Sequence, residues 1–208
     1  MCTFLRRCTW GFITININQF TLLFTKHLKD SPEDEERLYD YAIDVLAKLY
    51  STEAEIDLPA HTTTTLNMEL SAFIDWFLAN QLEDKVLTEA SKEFFEIFNR
   101  LFKKLDNLKP IISLKDFMAD NLMLLESRDG IKKVGILDFQ DAVIGSPVKD
   151  LVALLEDARR DVNPSTVKRA KERFLKAIPS IDKALFEEAY AVMGVQNNLR
   201  IIGVFHRL

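Results

Sequence analysis

Asp116 and Asn121 stand five residues apart in the run Leu114-Lys115-Asp116-Phe117-Met118-Ala119-Asp120-Asn121, and Ile136-Leu137-Asp138-Phe139-Gln140-Asp141 follows as a second acidic signature. An Asp, four residues, an Asn, a short hydrophobic hairpin and then hydrophobic-Asp-Phe is an arrangement suited to phosphoryl transfer. In that chemistry the first Asp orients an acceptor hydroxyl and takes its proton, which needs a carboxylate within hydrogen-bond reach. The Asn and the later Asp supply oxygen ligands to Mg²⁺, an ion that keeps much of its water and binds through few protein groups. Singly, each residue has a plainer reading: Asp116 as a turn residue, Asn121 as a polar group at a strand edge, Asp138 as a loop acid. Together, in this order and framing, they point to the catalytic half of a kinase-like phosphotransferase.

The elements that must position these groups can be read on either side of them. Ile111-Ile112-Ser113 reads as a short strand leading into the acidic loop. Leu122 to Leu125 and Lys133 to Leu137 read as paired strands around Ser127-Arg128-Asp129-Gly130, where Asp-Gly between hydrophobic runs is a hairpin signal. Upstream, Ser31-Pro32 opens a helix with Ser as N-cap, Pro in the first position and acidic residues in the first turn. Leu38, Tyr41, Val45 and Leu49 are its expected buried face. A loop over 51–62 contains Pro59; a second helix covers about 64–81, with Leu66, Leu70, Phe73 and Phe77 inward. A third helix runs from Thr88 to Leu108, its stripe formed by Phe94, Phe98, Leu101 and Leu105, and Pro110 stops it. Beyond Asp141, Ser146-Pro147 starts a helix to about Arg160, Asn163-Pro164 another to Ala177, and Ser180 a last one to about Gly203. Arg159 and Arg160 are thus expected at a helix C-terminus, where cations complement the dipole. The expected fold class is α+β, mostly helical, with a small β-hairpin among helices.

Composition sets the frame for this reading. The 208 residues fit one domain, and 48% hydrophobic with 28% charged residues is an ordinary globular balance. A net charge of −5 and a pI near 5.3 argue against a general nucleic-acid binder. Cys2 and Cys8 form no metal or redox spacing, so a reducing, cytoplasmic setting is expected. No run of 18 apolar residues is present, so no membrane-spanning helix is expected. Arg6 and Arg7 precede an apolar stretch that superficially resembles a signal peptide, but Thr14, Asn16, Asn18 and Gln19 interrupt it. Ile13, Ile15 and Ile17 alternate with polar residues there, which suggests a short strand within an atypical N-terminal segment, 1–24.

Ile111 to Val162 resembles the aminoglycoside phosphotransferase and choline kinase superfamily. Gly135-Ile136-Leu137-Asp138-Phe139-Gln140-Asp141-Ala142, Gly145-Ser146-Pro147, Asp150-Leu151-Val152 and Asp157-Ala158-Arg159-Arg160-Asp161-Val162 resemble the bacterial branch that includes the N-acetylmuramate/N-acetylglucosamine kinases. Weaker similarity reaches back through Leu58-Pro59, Glu69-Leu70 and Asp75-Trp76-Phe77, and forward from Ala191 to Leu208. The resemblance implies that residues 25–208 are a protein-kinase-like C-terminal lobe. It implies Asp116 as catalytic base, Asn121 and Asp138 as the Mg²⁺ residues, and Asp150 as a brace of the catalytic-loop backbone. It implies ATP as phosphoryl donor and a small-molecule hydroxyl, of a sugar or amino sugar, as acceptor, with no nucleic-acid or membrane partner.

The chain also departs from the family pattern. Leu114 stands where a His is usual, Lys115 where Arg or Gly is common, Met118 where a His is frequent, and Lys149 at an aromatic position. Gly11 is the only glycine before Gly130, so there is no glycine-rich phosphate-covering loop. The expectation is a lobe without its ATP-clamping N-terminal partner, truncated at both ends, with negligible turnover by itself. A separate N-lobe polypeptide is an expected partner under the kinase reading; the alternative is a non-catalytic remnant or pseudokinase that binds a protein partner through the uncovered surface.

Overall fold

The computed structural model describes residues 22–52 and 56–208, so the expected strand at 13–17 and both cysteines lie outside the described residues. In chain order these residues form β1 (Leu22–Leu23), α1 (Phe24–Asp30), α2 (Glu35–Tyr50), α3 (Thr63–Ala72), α4 (Asp84–Phe102), β2 (Ile111–Ser113), β3 (Leu122–Leu124), β4 (Val134–Ile136), β5 (Val143–Gly145), α5 (Lys149–Leu155), α6 (Pro164–Ala177) and α7 (Lys183–Arg207).

Helix starts follow local chemistry. Asn163 accepts a hydrogen bond from the Ser165 N–H while Pro164 takes the first position of α6. Asp182 accepts from Leu185 N–H at the start of α7, and Thr62 from Thr65 N–H at the start of α3. Ser31-Pro32 opens a 3-10 turn, Pro32–Asp34, which runs into α2, and the Ser31 side chain makes no cap bond. The α2 core face is Leu38, Tyr39, Ala42, Ile43 and Leu46, with Val45 also buried. Tyr41 and Leu49, expected inward, only flank it.

Three expected helices need correction. The helix expected from Thr88 to Leu108 is α4, Asp84–Phe102, followed by a 3-10 turn at Lys103–Asn107. The helix expected over 64–81 changes geometry along its length: α3 gives way to a π-helix at Phe73–Phe77 and then a 3-10 turn at Leu78–Asn80. The hairpin expected around Asp129-Gly130 is present, β3 pairing antiparallel with β4, and Gly130, at φ 55°, starts a 3-10 turn, Gly130–Lys133, leading into β4. The helix expected to reach Arg160 ends at Leu155, with Glu156 as its cap residue, so Arg159 and Arg160 do not sit on a helix terminus. There the Asp157 carboxylate accepts from the Arg159 N–H and turns the chain.

Two small antiparallel sheets frame the site. One has the order β1-β3-β4, with Leu22 opposite Leu124 and Leu122 opposite Ile136. The other pairs β2 with β5, a strand the periodicity does not reveal, placing Ser113 opposite Val143. The loop that carries Asp116 runs from β2 of one sheet to β3 of the other. One core joins the helices and the larger sheet, and the loop contributes Leu114, Phe117 and Ala119 to it. Phe117 is fully buried, which pins the loop by an apolar side chain directly after Asp116. Among the described residues no helix is long and apolar enough to cross a membrane.

Gly203 on α7 is required by packing. A Cβ built there would lie 2.2 Å from the Ala72 carbonyl carbon and 2.4 Å from Phe73 N. The backbone of α7 therefore rests directly on the junction where α3 becomes the π-helix.

Candidate active site

The loop after β2 adopts a backbone that most side chains avoid. Lys115 has φ 68° and Asp138 has φ 50°, the two non-glycine left-handed residues among those described. Such conformations cost on the order of 1 kcal/mol each and persist where surrounding contacts over-determine them.

Asp150 supplies those contacts at Lys115. Its carboxylate, on α5 and 3% exposed, accepts from Ser113 Oγ at 2.9 Å, Leu114 N at 2.7 Å and Lys115 N at 2.9 Å. Burial pushes the Asp150 pKa up, and the three donated hydrogen bonds oppose that rise. Ser113 and Lys115 flank Leu114, the residue standing where the resemblance leads one to expect a histidine. Leu114 itself is buried in apolar contact, so the loop is held from below through its amides.

Asn121 ties the other candidate residues together. Its Nδ2 donates to the Asp116 carbonyl at 2.9 Å, and its own carbonyl accepts from Leu137 N at 2.8 Å. Asp116, Asn121 and the residue before Asp138 are thereby linked through two hydrogen bonds. Asp116 and Asn121 are half-buried and Asp138 is exposed. With Nδ2 engaged, Asn121 Oδ1 remains an acceptor. Among the described residues no group of three His, Cys, Asp or Glu side chains could hold a metal ion. One carboxylate and one carboxamide oxygen suit Mg²⁺ when phosphates and water complete its shell.

A second, half-buried carboxylate lies beside the loop, and sequence reasoning gave it no role. Glu69, on α3, meets His61 Nε2 at 3.1 Å, Lys115 Nζ at 3.0 Å, Lys149 Nζ at 3.4 Å and Gln196 Nε2 at 2.9 Å. Burial alone would raise its pKa, but the His61 hydrogen bond and the nearby Lys149 and Lys115 charges hold it well below the usual carboxylate range. Lys149 is 4% exposed and has one acidic partner here, and burial pushes its pKa down. Lys149 is therefore a buried lysine whose acidic partner is Glu69. Only the Glu69-Leu70 resemblance marked this place in the sequence; four partners from distant segments cannot be read from spacing.

Two cavities flank Asp116. One, of about 110 Å³, lies toward α7 and includes Met118, Asp157, Arg159, Asn197 and Phe205 in its wall. The other, of about 520 Å³, lies toward Leu58, Pro59, Asp141 and Lys149. Lys115, Asp116 and Arg200 line both. Arg159 lies 3.6 Å from an Asp157 carboxylate oxygen and 3.8 Å from one of Asp120. Arg160 instead reaches Glu35, which also accepts from Asn163 N and Thr166 Oγ1 and so joins α2 to α6.

The phosphotransferase enzyme family abbreviated APH matches residues 22–185. The chain belongs to the APH family. Curated APH-type relatives named N-acetylmuramate/N-acetylglucosamine kinase share its sequence. The protein of Caulobacter vibrioides is 34% identical over 191 residues, covering 87% of this chain and 52% of the relative. That of Pseudomonas aeruginosa is 30% identical, covering 95% of this chain and 58% of the relative, and that of Neisseria meningitidis is 31% identical, covering 95% and 60%. The chain thus spans between half and three-fifths of the length of these relatives. Solved structures show the kinase-like fold of the APH family. An aminoglycoside-3'-phosphotransferase of type VIII aligns with a TM-score of 0.59 at 12% identity, covering 81% of this chain and 62% of that one. A choline/ethanolamine kinase family protein from Mesorhizobium loti aligns at 0.53 and 14% identity, covering 84% and 55%.

Proposed function

We propose that this chain carries the acceptor- and metal-binding machinery of an ATP-dependent kinase that phosphorylates a hydroxyl of an amino sugar. The substrate class follows the names of the curated relatives. The observation that carries the reading is the pair of hydrogen bonds by which Asn121 joins the Asp116 carbonyl to the backbone beside Asp138.

In this reading Asp116 accepts the proton of the sugar hydroxyl as its oxygen bonds to the γ-phosphorus and the bond to the β-phosphate oxygen breaks, releasing ADP. Asn121 Oδ1 and the Asp138 carboxylate would hold Mg²⁺, which when bound neutralises charge on the phosphates. Asp150 braces the loop by accepting from the amides around Leu114, so that Asp116 keeps its direction. Phosphoryl transfer depends on positioning and charge stabilisation, and these residues supply the positioning. Because the 208 residues contain no glycine-rich phosphate-covering loop, their turnover on their own is expected to be slow.

The test measures sugar binding by titration calorimetry and ATP consumption with Mg²⁺ and N-acetylglucosamine or N-acetylmuramate. We expect sugar binding, and a slow acceptor-dependent rate that falls to background in both Asp116→Ala and Asp138→Ala. An absence of sugar binding, together with a rate indifferent to Asp116, overturns the proposal.

A further inference from the structure

Arg200 lines both cavities beside Asp116, yet no acid among the described residues pairs with it. Its Nε is buried without a hydrogen-bond partner, and its one side-chain contact is a long 3.4 Å bond from Nη2 to Asn197 Oδ1. Among the described residues it forms no ion pair. The other cations around the loop are occupied: Lys115 and Lys149 share Glu69, and Arg159 is near Asp157 and Asp120. A buried guanidinium edge left without an acceptor is costly unless a ligand supplies one. The acids in the same walls do not supply it. Asp116 faces the proposed acceptor hydroxyl, Glu156 accepts from Asn198 Nδ2, Asp157 lies 3.6 Å from Arg159, Asp141 accepts at 3.4 Å from its neighbour Gln140, and the exposed Asp57 forms no ion pair with Arg200.

We infer that Arg200 is a specificity residue that receives a carboxylate carried by the acceptor sugar. This rests on the sugar-kinase reading above. Arginine presents its Nη donors in a planar array that can hold the oxygens of a carboxylate, and such charge-assisted pairs are strong when partly desolvated. An acidic amino sugar with its reacting hydroxyl at Asp116 would place its acidic arm against the cavity-lining cation that has no acidic partner among the described residues. A neutral amino sugar still enters but leaves the guanidinium unsatisfied. The site therefore ranks acidic above neutral acceptors, opposite to what a cationic antibiotic requires.

Titration calorimetry on the full chain tests this with N-acetylmuramate, which bears a carboxylate, against N-acetylglucosamine, which does not. A hydrogen-bonded charge pair of this kind corresponds to a preference of about tenfold or more for N-acetylmuramate. Arg200→Gln should erase that preference, and Arg200→Lys should keep part of it, with thermal melts confirming that each variant is folded. In the unaltered chain the preference should shrink as ionic strength rises. Equal affinity of the unaltered chain for both sugars, or a preference that survives Arg200→Gln, overturns the inference while leaving the sugar-kinase reading intact. Inorganic phosphate binding at Arg200 without any gain for N-acetylmuramate also overturns it, by assigning the arginine to a phosphate. If neither sugar binds, the inference is overturned, and the reading on which it rests falls too when ATP consumption is also indifferent to Asp116.

Discussion

At Asp150 a carboxylate cut off from water accepts three hydrogen bonds from a loop, two of them from backbone amides. At Asp40 and Asp44, on α2, carboxylates meet the arginine forks of Arg169 and Arg173 on α6 across a helix pair open to solvent. The chemical groups are similar and their consequences differ. In the first region the polar contacts hold a backbone that would not otherwise exist, because Lys115 sits at positive φ. In the second, two regular helices already pack through apolar faces, and the ion pairs ornament a geometry set by Leu38, Ala42, Phe174 and their neighbours. A charged contact matters to this molecule in proportion to what the backbone beneath it would do if the contact were gone.

Removing Asp150 should have the largest effect on stability. Asp150→Ala leaves the Ser113 hydroxyl and two amides buried without acceptors, at a cost on the order of 3 kcal/mol or more. Urea denaturation measures it, and a loss below about 1 kcal/mol would erase the distinction between the two regions. Glu69 offers an intermediate case. Its folded pKa is held below the ordinary value of 4.5, so its contribution is fully present above that value and is lost as pH falls toward the depressed one. Glu69→Gln should therefore flatten the acid limb of a stability-against-pH curve below about pH 4.5, while lowering stability at neutral pH; an unchanged acid limb would place the carboxylate outside the loop's support. The smallest effect is expected on the helix pair. Arg169→Ala and Arg173→Ala should leave the denaturation midpoint within experimental error, since exposed ion pairs contribute little. A clear shift there would show that the α2–α6 contact depends on charge after all.

The legibility of the chain divides along the same line. Asn163-Pro164 marks the start of α6 because its cap uses residues adjacent in sequence, and Ile111-Ile112-Ser113 is a strand as its composition suggests. The spacing of Asp116, Asn121 and Asp138 was readable because a short loop and a short hairpin separate them. What could not be read depends on distant partners. β5 exists because β2 needs an antiparallel neighbour, and β1 exists because β3 does. The π-helix at Phe73–Phe77 lies where α7 crosses at close range, an arrangement written in Gly203 far downstream. Helix α5 stops early although its apolar run and cationic tail suggest another turn, because Asp157 captures the Arg159 amide and redirects the chain. Glu69 and Arg200 stand on ordinary helical faces, and only the assembled fold turns one into a hub and leaves the other without an acid.

The contact at Gly203 fixes more than a crossing point. With the α7 main chain set against the Ala72 carbonyl, no side chain larger than hydrogen fits at 203, and Asn197, Arg200 and Phe205 stand on the same helix. The wall of the smaller cavity is thus seated against the element that bears Glu69. Changes in acceptor preference along this lineage should accordingly arise by exchanging side chains along that helix, with the single hydrogen of residue 203 as the part least open to replacement.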